Sequence, residues 1–373
     1  MREADSMEKE NEKMYACWLD HVPGLWRTQK NLLLKMYGSP SCMYQLSERE
    51  LTQLLGADRA DIWMQFKRYK QPEEIYEVLK RDGLSYTYYG ESEFPKKLRE
   101  IPDAPFSIYY KGQLPREDEP AVAMIGARRY SEYGRYMAEY FADRLAGSGI
   151  QIISGMAMGI DGISQRAALR AGGRSYGVLG SGPDVIYPNS NKDLYEALCA
   201  QGGVISESVP GTQPLAALFP QRNRIISALA DVVLVVEAKE KSGTLITVDM
   251  ALEQGREVYV IPGRCTDALS QGCNKLLRQG ANAAVTPEDI IADMGWILKG
   301  DAKPGKKIKL SEVAESICRI LETTPKTQDE ILMELRKQRA SYLVSEVCQG
   351  LLELEMKGIA ERIGGQYHLL YMV

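Results

Sequence analysis

The stretch AVAMIG, residues 121–126, is the first of six short, nearly continuous apolar segments. The others are IQIISG at 150–155, SYGVLG at 175–180, GVISES at 203–208, VVLVVEA at 232–238 and VYVIPG at 258–263. Apolar runs of this length that end at glycine or a polar residue are typical of parallel strands buried on both faces. The intervening segments, such as 132–147, 160–171, 191–201 and 245–255, are long enough for crossover helices. The pattern predicts an α/β fold built on an extended Rossmann-like, doubly wound sheet, assigned to residues 91–300.

The two ends of the chain have a different character. Residues 1–90 show short helical patterns, including a capping box formed by Ser47 and Glu50, and predict a helical domain of the SAM or helix-hairpin-helix type. Basic residues in this region are interleaved with acidic ones, which disfavours DNA binding there. After a polar linker, KPGKKIK at 303–309, three helical patterns and two strands around a Gly-Gly turn predict a winged helix over 308–373.

Composition limits the functions that are possible. The 373 residues carry 46 lysines and arginines against 50 acidic residues, so binding of a polyanion would require a local basic patch. Only His21 and His368 are present, which excludes a histidine-based triad or histidine-rich metal centre in the middle of the chain. Seven scattered cysteines form no CxxC pair, and no run approaches a membrane span. We therefore expect a soluble cytoplasmic protein with reduced thiols, without metal or cofactor.

Glycine-rich turns follow several of the predicted strands. In an open α/β sheet, ligands bind beyond the carboxyl ends of the strands, where helix N-termini and free backbone amides attract anions. Such turns are GARRYSEYG at 126–134, SGMAMGID at 154–161 and SGTLIT at 242–247, with FPQRNRII at 219–226 as a further loop. Both the GxGxxG and the GxxxxGK[ST] signatures are absent, which disfavours nicotinamide and P-loop nucleotide chemistry.

These turns predict a phosphate-binding groove along one sheet edge. The residues that we expect to form it are Gly126, Arg128, Ser154, Gly155, Arg174, Arg222, Asn223, Arg224, Gly243 and Thr244, with Arg129 as a further source of charge. Arginine suits this role because its planar fork binds phosphate oxygens in pairs and stacks on bases. Two simpler readings stay open: the glycines form tight turns only, and Arg222 or Arg224 belongs to a structural ion pair.

At these residues the chain resembles the DNA-processing protein A family, also called DprA or Smf. The resemblance covers about 93–298 and is carried by SGMAMGID, SGPDVIYPNSN, FPQRNRII, SGTLIT and ALEQGREVYVIPG. It implies a non-enzymatic cytoplasmic protein that binds single-stranded DNA, protects incoming DNA and loads the RecA recombinase onto it in natural transformation. It also places DNA-binding basic residues at Arg128 and Arg174, and implies a homodimer formed through Asn274, Leu277 and Ala283. Ala127 departs from the family pattern, which has a hydroxyl residue there.

Two other functions have partial support in the sequence. A nucleotide-cleaving enzyme similar to the cytokinin-riboside phosphoribohydrolases would use a PGGxGTxxE loop, of which Ser242, Gly243 and Thr244 keep a part. Thr247 stands where its glutamate belongs, although Glu207 or Glu237 could substitute. A transcriptional regulator acting through the winged helix is disfavoured, because the candidate recognition helix SYLVSEVCQGLLELEMKG carries one lysine and three glutamates.

Overall fold

The computed structural model describes residues 2–297, 310–321, 324–338, 342–357 and 359–369. The chain divides into two compact units, Met1–Lys299 and Gly300–Val373. None of the helices in these ranges is long and apolar enough to cross a membrane.

A nine-stranded sheet organises the first unit. Its strands are β1 Ser85–Tyr88, β2 Ser107–Gly112, β3 Ala121–Ile125, β4 Gln151–Ser154, β5 Ser175–Val178, β6 Gly203–Ser206, β7 Val232–Val235, β8 Glu257–Val260 and β9 Asn282–Ala283. Their order is β1-β2-β6-β5-β4-β3-β7-β8-β9, parallel from β6 to β9. β1 and β2 extend the sheet by antiparallel pairing. The doubly wound sheet and its six apolar strands are thereby confirmed, while β1, β2 and β9 were missed.

Helices cover both faces of this sheet. They are α1 Arg2–His21, α2 Arg27–Tyr37, α3 Pro40–Tyr44, α4 Glu48–Leu55, α5 Ala57–Tyr69, α6 Pro72–Arg81, α7 Lys96–Arg99, α8 Glu132–Gly147, α9 Ile160–Arg170, α10 Lys192–Gln201, α11 Leu218–Leu229, α12 Gly243–Glu253, α13 Gln271–Arg278 and α14 Pro287–Asp293. One face packs against α8, α9 and α14, and the other against α7, α11, α12 and α13. This two-sided cover explains why the central parallel strands are largely apolar.

The segment FPQRNRII is helical, so its prediction as a loop was wrong. It forms most of α11, and its proline, Pro220, lies in the first turn of that helix. Proline is tolerated there because the first-turn N–H groups have no partner within the helix. The consequence is that Phe219, Arg222 and Asn223 have fixed positions on one rigid element.

The N-terminal helices α1 to α6, here called the front helices, share their core with the edge of the sheet. Trp18 and Trp63 are buried together with Tyr86 of β1 and with Phe106 and Tyr109 beside and within β2. These helices belong to the same compact unit as the sheet. The boundary near residue 90 stays a prediction.

A buried carboxylate, Asp20 of α1, adds polar contacts to this junction. It pairs with Lys30 at 2.8 Å and accepts hydrogen bonds from the hydroxyls of Tyr86 and Tyr109 at 3.0 and 3.3 Å, and from that of Ser107. Charged groups this deeply buried are stable only when they are paired and hydrogen-bonded, as Asp20 is.

The second unit contains the predicted helices and hairpin. Its elements are α15 Glu312–Leu321, β10 Lys326–Thr327, α16 Gln328–Gln338, α17 Val344–Met356, β11 Ala360–Ile363 and β12 Gln366–Leu369. Gly364 and Gly365 turn the hairpin with φ of 58° and 86°, a conformation that glycine adopts without strain. The short strand β10 was missed, and assignment as a winged helix stays a prediction.

Candidate functional site

A cavity of about 690 Å³ opens at the carboxyl edge of the parallel strands. It is bounded by the turn after β3, by the N-terminal parts of α9, α11 and α12, and by the loops after β5 and β7. The residues that line it are Ile125, Gly126, Ala127, Arg128, Arg129, Ala157, Asp161, Tyr187, Pro214, Ala216, Phe219, Pro220, Arg222, Asn223, Ile226, Lys239, Lys241, Ser242, Gly243, Thr244, Ile246, Thr247 and Leu269. This is the edge at which doubly wound proteins bind their ligands.

The lining is strongly positive. Its charged members are the cations Arg128, Arg129, Arg222, Lys239 and Lys241 and a single carboxylate, Asp161. Arg128, Lys239 and Lys241 are exposed, and no ion pair within the described ranges occupies them. Because the net charge of the whole chain is −4, this group of free cations is a local feature.

Two aromatic rings flank these cations. Tyr187, which is 45% exposed, lies 5.5 Å from Phe219 between ring centroids, at an interplanar angle of 38°. The guanidinium of Arg128 lies 5.9 Å from the Phe219 ring centroid, within cation–π range. The cavity therefore offers apolar ring surface directly beside positive charge.

Among the cations and aromatic rings of the lining, the sequence prediction missed four, namely Phe219, Tyr187, Lys239 and Lys241. A signal for them was present. Phe219 belongs to a quoted motif, and both lysines follow the apolar run of β7 at its carboxyl end. The direction of β7 alone would have predicted that both lysines lie at the carboxyl edge of the sheet, where the cavity opens.

Arg222 is buried in the wall of the cavity and joins the ends of two strands. It is 6% exposed and donates to the carbonyl of Gly155 at 2.7 Å and to that of Val178. Burial lowers the pKa of its guanidinium to about 10, with Arg128 acting in the same direction and Asp161 opposing it. Burial likewise raises the pKa of the Asp161 carboxyl, against the stabilising charge of Arg222. Since two of its donors bind the ends of β4 and β5, Arg222 is only partly available to a ligand.

Ser154 and Gly155 lie outside the cavity lining, so their predicted placement was wrong. The Ser154 hydroxyl donates to the Met124 carbonyl at 2.6 Å, and the Gly155 N–H donates to Asp161 at 3.2 Å. A Cβ at Gly155 would lie 2.7 Å from both Arg222 and Asp161. The glycine is therefore needed for packing around this pair, and its amide is already used.

Arg224 also faces away from the cavity. Its side chain is 3% exposed and pairs with Glu207 and, at 3.0 Å, with Asp103. Asp103 in turn pairs with Arg27 of α2 at 3.1 Å. The sequence left open a structural ion pair for Arg224, and the structure contains such a pair.

Arg174 lies at the opposite edge of the sheet. It precedes β5, and its backbone carbonyl accepts from Ile152 near the start of β4. Its guanidinium binds both oxygens of Glu119, at 3.0 and 2.9 Å. The expectation that Arg174 and Arg128 line one edge was wrong, because a residue before a parallel strand lies at the amino end.

Gly126, Gly243 and Thr244 do meet at the cavity. The Thr244 hydroxyl donates to the Gly126 carbonyl at 3.2 Å and so ties the first turn of α12 to the turn after β3. Ser242 caps α12 by accepting from the Thr244 N–H at 3.2 Å. A helix N-terminus thus faces the cavity, and its dipole favours a negative ligand there.

The carboxylates considered for glycosidic cleavage are engaged elsewhere. Glu207 pairs with Arg224, while Glu237 accepts from the N–H of Ser131 at 3.0 Å and from its hydroxyl. Neither lines the cavity, whereas Thr247 does. Among the described residues, no cluster of His, Cys, Asp and Glu could hold a metal ion.

The three residues assigned to a dimer interface have different surroundings. Leu277 is partly buried against the core, and Ala283 is exposed on the edge strand β9. The Asn274 amide donates to the Gly263 carbonyl at 3.1 Å and accepts from its N–H at 3.4 Å. The homodimer stays a prediction.

Together these features define a Rossmann-like protein with a cationic, aromatic cavity at the carboxyl edge of its sheet. The model of the family described as DNA recombination-mediator protein A matches residues 85–295, more than half of the chain. The chain belongs to this family, as its motifs predicted, and has a DNA-processing role.

Curated relatives and solved structures agree with this assignment. DNA processing protein DprA of Streptococcus pneumoniae is 43% identical over 200 residues, which is 54% of this chain and 71% of that protein. Protein Smf of Escherichia coli is 37% identical over 283 residues, 74% of this chain and 75% of that one. The X-ray structure of the S. pneumoniae protein is similar with a TM-score of 0.66 and 34% identity, covering 76% of this chain and 97% of that one. A structure of DNA processing protein A from Helicobacter pylori, reported for its single-stranded DNA binding mode, has a TM-score of 0.52 and 29% identity, covering 57% and 97%.

Proposed function

We propose that this protein binds single-stranded DNA across the cavity at the carboxyl edge of its sheet. The observation that carries the proposal is the placement of three cations, Arg128, Lys239 and Lys241, which form no ion pair with the described residues. They lie beside the half-buried ring of Phe219 and the exposed ring of Tyr187. Proteins that bind single strands combine positive charge for the backbone with aromatic rings for the bases. The H. pylori relative, which is described as binding single-stranded DNA, supports the same ligand here.

Phosphates would lie against the three cations and the N-terminus of α12, where Gly243 faces the cavity. Bases would stack on Phe219 and Tyr187. Stacking requires an unpaired base with a free face, which a single strand presents and an intact duplex does not. This arrangement predicts weak sequence preference, since every base has a π face.

The test is Arg128→Ala, with Arg174→Ala as the matched control. Affinity for a labelled oligothymidylate would be measured by fluorescence anisotropy at several salt concentrations. We expect Arg128→Ala to weaken binding by about 10-fold or more, the effect of losing a charge-assisted contact of about 1.5–3 kcal/mol. The slope of log affinity against log salt should fall by ~0.7 for the lost phosphate contact. Arg174→Ala should bind like wild type, because Glu119 occupies its guanidinium. An unchanged affinity and slope for Arg128→Ala would overturn the proposal.

We further propose that the bound strand is protected and then delivered to RecA during recombination and natural transformation. Membership of the recombination-mediator family supports this role. RecA-dependent ATP hydrolysis on DNA covered by a single-strand binding protein should start sooner when the wild type is added, and Arg128→Ala should lose this effect. An equal acceleration by both proteins would show that delivery does not use the cavity.

We also propose a homodimer through Leu277 and Ala283, by resemblance to the family. Leu277→Arg should convert a dimer into a folded monomer in sedimentation analysis.

We propose, in addition, that the protein is a cytoplasmic binding protein without catalytic activity. A nucleotide hydrolysis assay tests the lack of catalysis, since turnover that is lost with Asp161→Asn would restore the enzyme alternative.

A further inference from the structure

Two exposed tyrosines follow the cavity arginines along the chain. Tyr130 and Tyr133 are 41% and 43% exposed, and neither lines the cavity. The cavity accounts for Arg128 and Arg129 immediately before them, but not for these rings.

Strand order places Tyr133 further along the same sheet edge, and Tyr130 lies between Arg129 and Tyr133 in the sequence. From β5 to β8 the order is β5-β4-β3-β7-β8. Tyr187 follows β5, Arg128 follows β3 and Lys239 follows β7. The Tyr133 hydroxyl donates to the carbonyl of Pro262, just after β8, at 2.7 Å. With neighbouring strands about 4.8 Å apart, aromatic residues thus lie at both ends of an edge roughly 19 Å long, with the free cations between them.

The segment that carries the tyrosines is held firmly. Ser131 caps α8 by accepting from the Gly134 N–H at 3.0 Å, and buried Glu237 accepts from both the N–H and the hydroxyl of Ser131. A Cβ at Gly134 would lie 2.1 Å from the Glu237 carboxylate, so this glycine allows the close approach. Rings presented on a fixed turn lose little conformational entropy when a base stacks on them.

The charge around the tyrosines also suits a polyanion. Glu132, the acidic residue between them, pairs with Arg135 at 2.9 Å. Arg129 on one side and Arg264 near Pro262 on the other are exposed and form no ion pair within the described ranges. The surface is therefore aromatic and net positive.

We propose that Tyr130 and Tyr133 form a second base-stacking position for single-stranded DNA, outside the cavity and toward β8. The inference rests on the proposed function and extends the path of the strand beyond Arg129. A strand long enough to reach from Tyr187 to Tyr133 would contact both positions, whereas a shorter one would occupy the cavity alone.

The experiment compares Tyr130→Ala and Tyr130→Phe on oligothymidylates of increasing length. Tyr130→Ala should weaken binding of long strands by about fivefold or more, the lower end of the effect of removing a stacking aromatic, and leave short strands unaffected. The salt slope should not change, because no cation is lost. Tyr130→Phe keeps the ring and should bind like wild type. Tyr69→Ala, an equally simple change at a residue that is 80% exposed on α5, is the matched control and should have no effect.

Photocross-linking gives a direct readout. Strands carrying 5-iodouracil should form adducts with Tyr130 or Tyr133 that mass spectrometry can locate. If Tyr130→Ala binds long strands like wild type and no adduct forms, while Arg128→Ala weakens binding, the second position is wrong and the cavity proposal stands. If Arg128→Ala is also unchanged, the strand lies elsewhere and both proposals fail.

Discussion

The exposed arginine at the carboxyl edge of the sheet and the three arginines predicted to act with it have the same side chain but different bonding partners. Arg128 is exposed, contacts the face of Phe219 and forms no salt bridge in the part of the chain that the structure describes. Arg222, Arg224 and Arg174 are bound by carbonyls or carboxylates of the protein itself. An arginine is available to phosphate only where the fold leaves its donors unused. Partners therefore distinguish a ligand-binding cation from a structural one, even within the single motif FPQRNRII.

The largest effect should be the loss of stability that follows removal of the Arg222 side chain. Arg222→Ala deletes two hydrogen bonds to strand ends and removes a positive charge that favours the buried Asp161 carboxylate. At about 1.5–3 kcal/mol for each hydrogen bond from a charged group, this should cost about 3–6 kcal/mol of unfolding free energy. Urea denaturation measures this loss. Arg129→Ala, at an exposed cavity residue, is the control and should unfold like wild type. Equal stability of Arg222→Ala with reduced DNA affinity would instead make Arg222 a ligand-binding residue.

An intermediate effect is expected at the aromatic pair. Phe219→Ala removes a stacking ring and should weaken binding of oligothymidylate by about 1–3 kcal/mol, without changing the salt slope. Phe219→Tyr keeps the ring and serves as the control. A fall in the salt slope for Phe219→Ala would mean that Arg128 depends on this ring for its position, which the contact at 5.9 Å permits.

The smallest effect should separate two lysines. Lys241 lines the cavity and forms no ion pair with any described residue, whereas Lys275 pairs with Glu240 at 3.3 Å and lies outside the lining. Lys241→Ala should weaken binding a few-fold and lower the salt slope by ~0.7, while Lys275→Ala should change neither. Identical results for the two variants in the same anisotropy titration would remove the distinction between free and paired cations.

Sequence patterns predicted the centre of the fold better than its edges. Six strands are buried on both faces, so their apolar runs stand out, whereas β1 and β2 are written SYTY and SIYYKG, with tyrosine and serine at buried positions. The segment FPQRNRII was predicted to be a loop, although its proline is compatible with the first turn of a helix, where Pro220 lies in α11.

At the site, the position of Arg128 followed from the strand before it. The opposite placement of Arg174 could also have been derived, because it precedes its strand. The pairing of Arg224 could not be predicted, since its partner Asp103 lies in a distant connection that only the folded chain brings close.

The core that the front helices share with the sheet edge has a consequence for how the family evolves. The family match begins at residue 85, so the front helices lie before it, while the rings that they cover lie within it. Those rings are Tyr86, Tyr88, Phe106 and Tyr109, all buried here, and each aromatic residue has on the order of 150–250 Å² to bury. A lineage that lost the helices would expose this apolar surface and an aggregation-prone strand edge. The helices and the four aromatic positions should therefore be gained and lost together, and relatives without the helices should carry polar residues or a different covering segment there.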